Sequence, residues 1–244
     1  MNDIINIHSH FNTGSKFDAK SSVIARNDFD FLKKDFQNCN ITKVAFSTFS
    51  SVLSDKEIFE QNNFLSNFVN KVDWAYQWIV LDPRQKKLYQ QIEEKISCEK
   101  VLGIKIHSIG HKYDILKFAD EIFSFANNLH TFVLMHPDNI LKVAKLTDKY
   151  PNMNLIIAHL GSIEHIEAIK NSKNGNVFTD TSGMASFSNN IIEYAVEQVG
   201  SEKIFFGTDT YSSAFQRGRI DFAQITEKDK ENIFLNNAKK HFRI

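Results

Sequence analysis

A chain of 244 residues with 42% hydrophobic content is long enough to bury one sizeable core, and α/β barrels of about 250 residues form single domains. Lysine plus arginine and aspartate plus glutamate number 29 each, so the net charge of zero favours neither a nucleic acid nor an anionic membrane as partner. The two cysteines are far apart in the sequence, which predicts a chain with reduced thiols. Because neither a signal peptide nor an apolar run of membrane-spanning length is visible, the expected location is the cytoplasm.

The first predicted element is a strand at residues 4–8, which runs into two histidines. His8 and His10 are one residue apart, and alternate side chains of a strand share a face, so both imidazoles point the same way. Two such imidazoles can bind one metal ion. A pair of polar residues at a strand end is the alternative interpretation at this point.

Seven further β-rich runs follow, separated by longer amphipathic stretches. Most of the runs are almost continuously apolar, as is typical of buried parallel strands. Helical spacing predicts helices in the intervening stretches, and Gly200 is suited to end one of them. The strands are predicted at residues 43–48, 74–80, 101–107, 131–136, 154–159, 176–182 and 203–209, and the helices within 55–72, 84–96, 114–129, 139–150 and 189–200.

Eight strands that alternate with helices predict a single (β/α)8 TIM barrel spanning residues 1–244. A doubly wound open sheet is the alternative fold, but no G-x-G-x-x-G motif follows the first strand. In a barrel, the carboxyl ends of all strands meet on one face, which is the catalytic face. Histidines cluster at these predicted ends, and the last strand ends in an aspartate. Neutral imidazoles and a carboxylate suit zinc and related divalent ions. The residues at these ends are His8, His10, Lys105, His107, His136, His159 and Asp209.

These strand ends make the sequence resemble the amidohydrolase superfamily, in the branch called amidohydrolase family 2. The resemblance extends from residue 6 to residue 242. Two departures lie in substrate loops: Ser108 stands where proline is common, and Thr210–Ser212 replaces the usual residues after Asp209. The matching stretches are "NIHSH", "GIKIHS", "FVLMHPD", "LIIAHLGS", "VFTDTSG", "FFGTDTYSS" and "IFLNNAKKHF".

The resemblance implies a divalent metal ion, with zinc favoured, held by His8, His10, His136 and Asp209. It also implies that His159 lies beside the substrate, either as a further metal ligand or as the group that polarises a scissile carbonyl. One ion per chain is expected, with a second ion as the alternative. Related barrels often pair into homodimers, so a homodimer is possible, although the sequence shows no interface.

Lys105 and His107 are candidates for binding a small-molecule substrate. They share strand parity, so both can face the barrel axis, and Lys105 is expected to bind a charged group of the substrate. Its alternatives are a carbamylated lysine that bridges two metal ions and an interior lysine paired with a carboxylate such as Asp209. His107 is expected to face the substrate, with a capping hydrogen bond as the alternative.

Three further residues lie near the last two strands. Asp180 and Ser182 end the seventh strand on one side of the pleat, and either can order the pocket. Ser182 is preferred as a substrate-binding residue because of its resemblance to the family's serine at this place. Arg217 is a candidate for holding a substrate carboxylate, with a solvated loop arginine as the alternative.

Together these features predict a metal-dependent hydrolase that cleaves an ester, lactone or amide bond of a small molecule. The ion would activate a water molecule, and Asp209 would take the proton of that water. His159 would polarise the carbonyl as the oxyanion develops. The alternatives are a decarboxylase or hydratase of the same superfamily, and a barrel that binds a metal or small molecule without turnover.

Overall fold

Eight parallel strands in one sheet form the centre of the protein. The computed structural model describes residues 3–244, and the strands are paired in chain order from β1 to β8. Each predicted strand is present, which confirms the (β/α)8 TIM barrel. The strands are β1 Ile4–Phe11, β2 Ile41–Thr48, β3 Ala75–Val80, β4 Val101–Ile106, β5 Phe132–Met135, β6 Asn154–Ile157, β7 Val177–Asp180 and β8 Ile204–Phe205.

The chain after β8 closes the barrel against β1. The amide of Ile7 donates to the carbonyl of Phe206 over 2.9 Å. The amides of Thr208 and Asp209 donate to the carbonyl of His8 over 3.1 and 2.8 Å. These bonds join the first and last strands, so the sheet is a nearly closed barrel and not a doubly wound open sheet.

Helices connect the strands and cover the outside of the barrel. The Asp28 side chain caps α1 by accepting the amide of Phe31, which satisfies one of the free amides of the first turn. Gly200 follows α9 with a φ of +83°, a backbone angle that favours glycine, and it ends the helix as predicted. No helix within residues 3–244 combines the length and the apolar character needed to cross a membrane. The helices are α1 Phe29–Asn38, α2 Phe49–Leu53, α3 Ile58–Val69, α4 Lys86–Lys95, α5 Ser108–His111, α6 Ala119–Asn128, α7 Ile140–Leu146, α8 Ile163–Lys170, α9 Ile191–Val199, α10 Ser213–Asp221, α11 Glu227–Glu231 and α12 Asn237–His241.

Apolar side chains fill both sides of the sheet. On the inner side, buried residues from all eight strands contact one another, among them Ile7, Trp78 and Phe205. The indole Nε1 of Trp78 donates to the carbonyl of Ile7 over 2.6 Å, so even this large side chain has no unpaired polar atom. This packed layer forms a floor beneath the strand ends that carry the histidines.

A β-bulge in β1 places both apolar and polar residues of one strand on the barrel axis. Asn6 pairs with Val44 and Ser9 pairs with Phe46, so three steps along β1 match two steps along β2. The extra residue reverses the side-chain alternation. The inward positions therefore change from Ile5 and Ile7 to His8 and His10.

Gly103 in β4 occupies a place where no side chain fits. A Cβ atom there would lie 2.3 Å from the carbonyl oxygen of Phe132 and 2.8 Å from the ring of Trp78. Gly103→Ala is expected to lower the free energy of unfolding by about 1–3 kcal/mol, because the backbone has to move. Urea unfolding measures the change.

Gly218→Ala is the matched control for this prediction. Gly218 lies in α10, and no atom outside its own helix lies within 4 Å of its Cβ position. Alanine is expected to raise stability there by about 0.5–1 kcal/mol, because glycine is a poor helix former. A Gly103→Ala protein as stable as the wild type would show that β4 and β5 do not pack as described.

Candidate metal centre

Two histidines of β1 direct ring nitrogens at one point on the barrel axis. The Nε2 atoms of His8 and His10 lie 3.2 Å apart. His8 Nδ1 lies 2.9 Å from the Asp180 carboxylate, and His10 Nδ1 lies 3.0 Å from the Ser47 carbonyl oxygen. Since both partners accept, the ring protons belong on Nδ1, and both Nε2 atoms carry lone pairs. The Nζ of Lys105 lies 3.0 Å from His8 Nε2 and donates to that lone pair. The spacing of the two Nε2 atoms also fits two ligands of one ion at about 2.0–2.1 Å.

Burial keeps the imidazoles of this group neutral. Burial, followed by the charge of Lys105, lowers the pKa of His8. Burial, followed by the neighbouring His8, lowers the pKa of His10 well below its usual value of 6.5. Burial and Lys105 also lower the pKa of His136 to about 3. Neutral imidazoles bind a metal ion without first losing a proton.

Asp209 and His159 border the open side of this group. One Asp209 oxygen lies 3.8 Å from His10 Nε2, and the other lies 3.9 Å from His159 Nε2. The φ angles of His159 and Asp209 are +66° and +55°, in the left-handed region that other residues than glycine adopt at an energetic cost. Ala158 already faces the barrel interior, so the positive φ turns the adjacent His159 to the same side.

Asp180, at the end of β7, holds the histidines in place. Its buried carboxylate accepts the amide of Ser182 over 2.8 Å and the amide of His159 over 3.2 Å, and it faces His8 Nδ1. Burial by itself raises the pKa of Asp180, but His8 and the Ser182 hydroxyl outweigh it and hold the pKa below its usual value. Asp180 therefore stays ionised and fixes the tautomer of His8. The sequence offered Asp180 only as one of two residues that can order the pocket.

The hydroxyl of Ser182 fills the buried side of the group. It donates to Asp180 and lies 3.0 Å from His8 Nδ1 and 2.9 Å from His159 Nδ1. His8, His159 and Asp180 offer ligand atoms within 4.8 Å of one another, but this hydroxyl lies among them. The candidate ion site is therefore the Nε2 side of the two β1 histidines, which Lys105 Nζ also borders. Ser182 is fully buried, and its hydroxyl positions the two histidines. Its expected role in substrate binding stays a prediction.

His107 and Lys105 also lie next to this group. The rings of His107 and His136 stack with centroids 4.2 Å apart. His107 Nδ1 accepts the amide of Gly110 over 2.9 Å, which is the capping bond given as the alternative to substrate contact. Lys105 is fully buried, its Nζ lies 3.0 Å from His8 Nε2, and burial lowers its pKa to about 8. Within residues 3–244 it forms no ion pair with a carboxylate.

Arg217 lies apart from the other candidates. It belongs to α10, where Nε donates to Asp221 over 2.8 Å and Nη1 donates to the carbonyl of Cys39 over 2.7 Å. Cys39 lies two residues before the start of β2, so this bond lies at the amino-terminal end of the strands, the face that stabilises a barrel. The structure therefore does not support a substrate-binding role for Arg217.

Comparisons with known proteins agree with this architecture. The family described as Amidohydrolase matches residues 5–244. A 2,6-dihydroxybenzoate decarboxylase from Rhizobium aligns with a TM-score of 0.78 at 15% identity, covering 100% of this chain and 99% of that chain. A dihydroxybenzoic acid decarboxylase from a Polaromonas species, with bound manganese, aligns with a TM-score of 0.78 at 16% identity over 100% and 97% of the two chains.

A hydrolase is also among the similar structures. A protein from Acinetobacter baumannii, described as a probable 2-pyrone-4,6-dicarboxylic acid hydrolase, aligns with a TM-score of 0.69 at 13% identity. That alignment covers 100% of both chains. No protein of curated function matches the sequence significantly. At these identities the structural likeness shows the fold alone.

Proposed function

Since this chain belongs to the amidohydrolase family, we propose that it is a metal-dependent hydrolase that cleaves an ester, lactone or amide bond of a small molecule. The observation that carries this proposal is the free carboxylate of Asp209. Among residues 3–244 no group donates a hydrogen bond to it, and the nearest ring nitrogens are 3.8 and 3.9 Å away. Its side chain is 17% exposed, whereas His8 and His10 beside it are buried. A carboxylate in this place can reach both water and substrate.

Each residue of the group has a distinct task in this reaction. A divalent ion held by His8, His10, His136 and Asp209 would supply Lewis-acid activation of water and of the substrate carbonyl. Asp209 accepts the proton of the attacking water and returns it to the leaving group. His159 directs its Nδ1 proton at the carbonyl of Ser182, 3.1 Å away, so its Nε2 donates to the oxyanion only when the ring is protonated.

The donor set leads to a prediction about metal content. We expect one tightly bound ion per chain, with zinc preferred because the ligands are mostly imidazoles. Elemental analysis of purified protein measures the stoichiometry, and reconstitution with zinc or manganese, with and without bicarbonate, tests the role of Lys105. An uncarbamylated Lys105 predicts no effect of bicarbonate.

His136→Ala is expected to lose bound metal. The control is His130→Ala, which removes an exposed histidine that precedes β5 at the opposite face of the barrel. Unchanged metal content in His136→Ala would contradict the ligand set. Two ions per chain that fall to one in Lys105→Ala would instead support a carbamylated, bridging lysine.

A decarboxylase is the second candidate function. The two decarboxylases align with TM-scores of 0.78, against 0.69 for the hydrolase. The buried Lys105 beside the metal ligands offers a positive charge to a substrate carboxylate. In that reaction the ion and the histidines that hold it would stabilise the electron pair left on the substrate carbon when carbon dioxide departs.

Isotope labelling separates the two functions. Metal-loaded protein is incubated in water enriched in the heavy oxygen isotope with 2-pyrone-4,6-dicarboxylate and a panel of small aryl esters, and separately with 2,6-dihydroxybenzoate. Hydrolysis places heavy oxygen in the product acid. Decarboxylation releases carbon dioxide and leaves the organic product unlabelled. Carbon dioxide release from the acid, without hydrolysis of any ester or lactone, would overturn the hydrolase proposal.

A further inference from the structure

A groove opens on the catalytic face, beside the segment that follows Asp209. It lies between the loop that follows β1 and the segment Thr210–Ser212, which comes directly after Asp209 in the chain. The groove has a volume of about 310 Å³. Its apolar and aromatic lining consists of Val23, Ile24, Ala25, Phe31, Leu32 and Tyr211. The groove is therefore bordered by the three residues that directly follow the proposed catalytic base in the chain.

Tyr211 connects the groove with the metal centre. A Cβ atom added to Gly183 would lie 3.2 Å from the Tyr211 ring and 3.1 Å from His159 Nδ1. The φ of Gly183 is +67°, a conformation that suits glycine. The absence of a side chain at this position lets the tyrosine ring lie close to His159. One residue thus borders both the groove and the reacting groups.

The two charged groups that line the groove each have a hydrogen-bond partner within the protein. Arg26 makes two hydrogen bonds of 2.8 Å to the carboxylate of Asp28. Asp35 accepts the amide of Ser213 over 3.0 Å. Six of the ten lining residues are apolar or aromatic, and the two charged ones already have partners within the protein. The groove is therefore suited to an uncharged group.

An ordered turn holds two large apolar side chains in water at the edge of the groove. Val23 and Ile24 are 95% and 93% exposed. The amide of Ser22 donates to the carbonyl of Ala25 over 2.9 Å, and the Ser22 hydroxyl accepts the amides of Ile24 and Ala25. Exposed neighbouring apolar side chains mark a binding surface when they border a cleft. Burying them against a ligand would recover free energy in proportion to the apolar area.

We propose that this groove binds an apolar arm of the substrate, an alkyl or aryl group, while the reacting group lies at Asp209. Its continuity with the catalytic face and its small volume fit part of a small molecule rather than a protein segment. The nature of the reacting group depends on the proposed function. The preference for an apolar arm depends only on the groove.

Binding of linear carboxylates tests this proposal without turnover. Butanoate, hexanoate and octanoate are titrated calorimetrically into the metal-loaded protein. The affinity is expected to rise about threefold to fourfold for each methylene group that becomes buried. The double variant Val23→Ser, Ile24→Ser is expected to lose most of this dependence on chain length. Phe222→Ser, at an 88% exposed position just after α10, is the matched control and should keep it.

Two results would overturn the groove proposal. One is an affinity in the wild type that does not depend on chain length. The other is a chain-length dependence that survives unchanged in the double variant. The same variants assayed with aryl esters of increasing acyl length separate this proposal from the hydrolase proposal. Chain-dependent binding without hydrolysis supports the groove and contradicts the hydrolase, whereas hydrolysis at rates independent of chain length does the reverse.

Discussion

Asp209→Asn is expected to keep the fold and most of the bound metal and to lose turnover by about 10²–10⁴-fold. His8, His10 and His136 remain to hold the ion, and asparagine is close to aspartate in size. The backbone amide of Asp209 donates to His8 whatever the side chain, so closure of the barrel should persist. The group that disappears is the proton acceptor. The measurement is turnover at saturating metal, with the metal occupancy determined on the same sample.

The matched control is Asp221→Asn. Asp221 makes an ion pair with Arg217 on α10, away from the metal centre, so the same change of chemistry there should leave turnover as in the wild type. If added metal restores the activity of Asp209→Asn to the wild-type level, then Asp209 is only a metal ligand. In that case the proposed proton transfer would have to be abandoned.

Asp180→Asn is expected to weaken metal binding by about 10–100-fold, although Asp180 is not among the proposed ligands. One Asp180 oxygen accepts the amides of Ser182 and His159. An asparagine therefore keeps its oxygen there and directs its amide nitrogen, which can only donate, at His8 Nδ1. His8 would then move its proton to Nε2 to present an acceptor at Nδ1. A protonated Nε2 has no lone pair for the ion. Competition titration with a coloured chelator measures the loss of affinity.

Asp82→Asn is the control for disturbing a buried carboxylate. Asp82 is fully buried and makes an ion pair of 2.6 Å with Arg84. It is therefore a buried, hydrogen-bonded carboxylate like Asp180, but it lies outside the metal centre. The Asp82→Asn substitution should lower the free energy of unfolding without changing the affinity for metal. Wild-type affinity in Asp180→Asn would show that the carboxylate does not set the tautomer of His8.

The sequence alone determined the architecture and the strand ends that carry the chemistry. The sequence contains eight apolar runs of strand length, separated by amphipathic stretches, and each run can be recognised without reference to the others. All eight are strands in the structure. Parallel strands in chain order put their carboxyl ends on one face. The meeting of His8, His10, His159 and Asp209 follows from that order. The metal-ligand set built on these residues stays a prediction.

Only the tertiary structure decided how these side chains are aimed. A bulge in β1 brings His8 and His10 to the same side as Ile5 and Ile7, and a positive φ turns His159 inward next to Ala158. Neither feature has a signature in residue type, because each depends on the register with a neighbouring strand.

The positions and hydrogen-bond partners of Asp180, Ser182 and Arg217 were decided in the same way. Asp180 and Ser182 lie at or just after the end of β7, and Arg217 lies in the middle of α10. The sequence does not show which partner each of these polar side chains contacts. Asp180 and Ser182 lie behind the histidines because β7 lies between β6 and β8 in the barrel. Arg217 turns to Cys39 because α10 packs against α1. Contacts between residues distant in sequence determine which group a polar side chain hydrogen-bonds, and such contacts exist only in the folded chain.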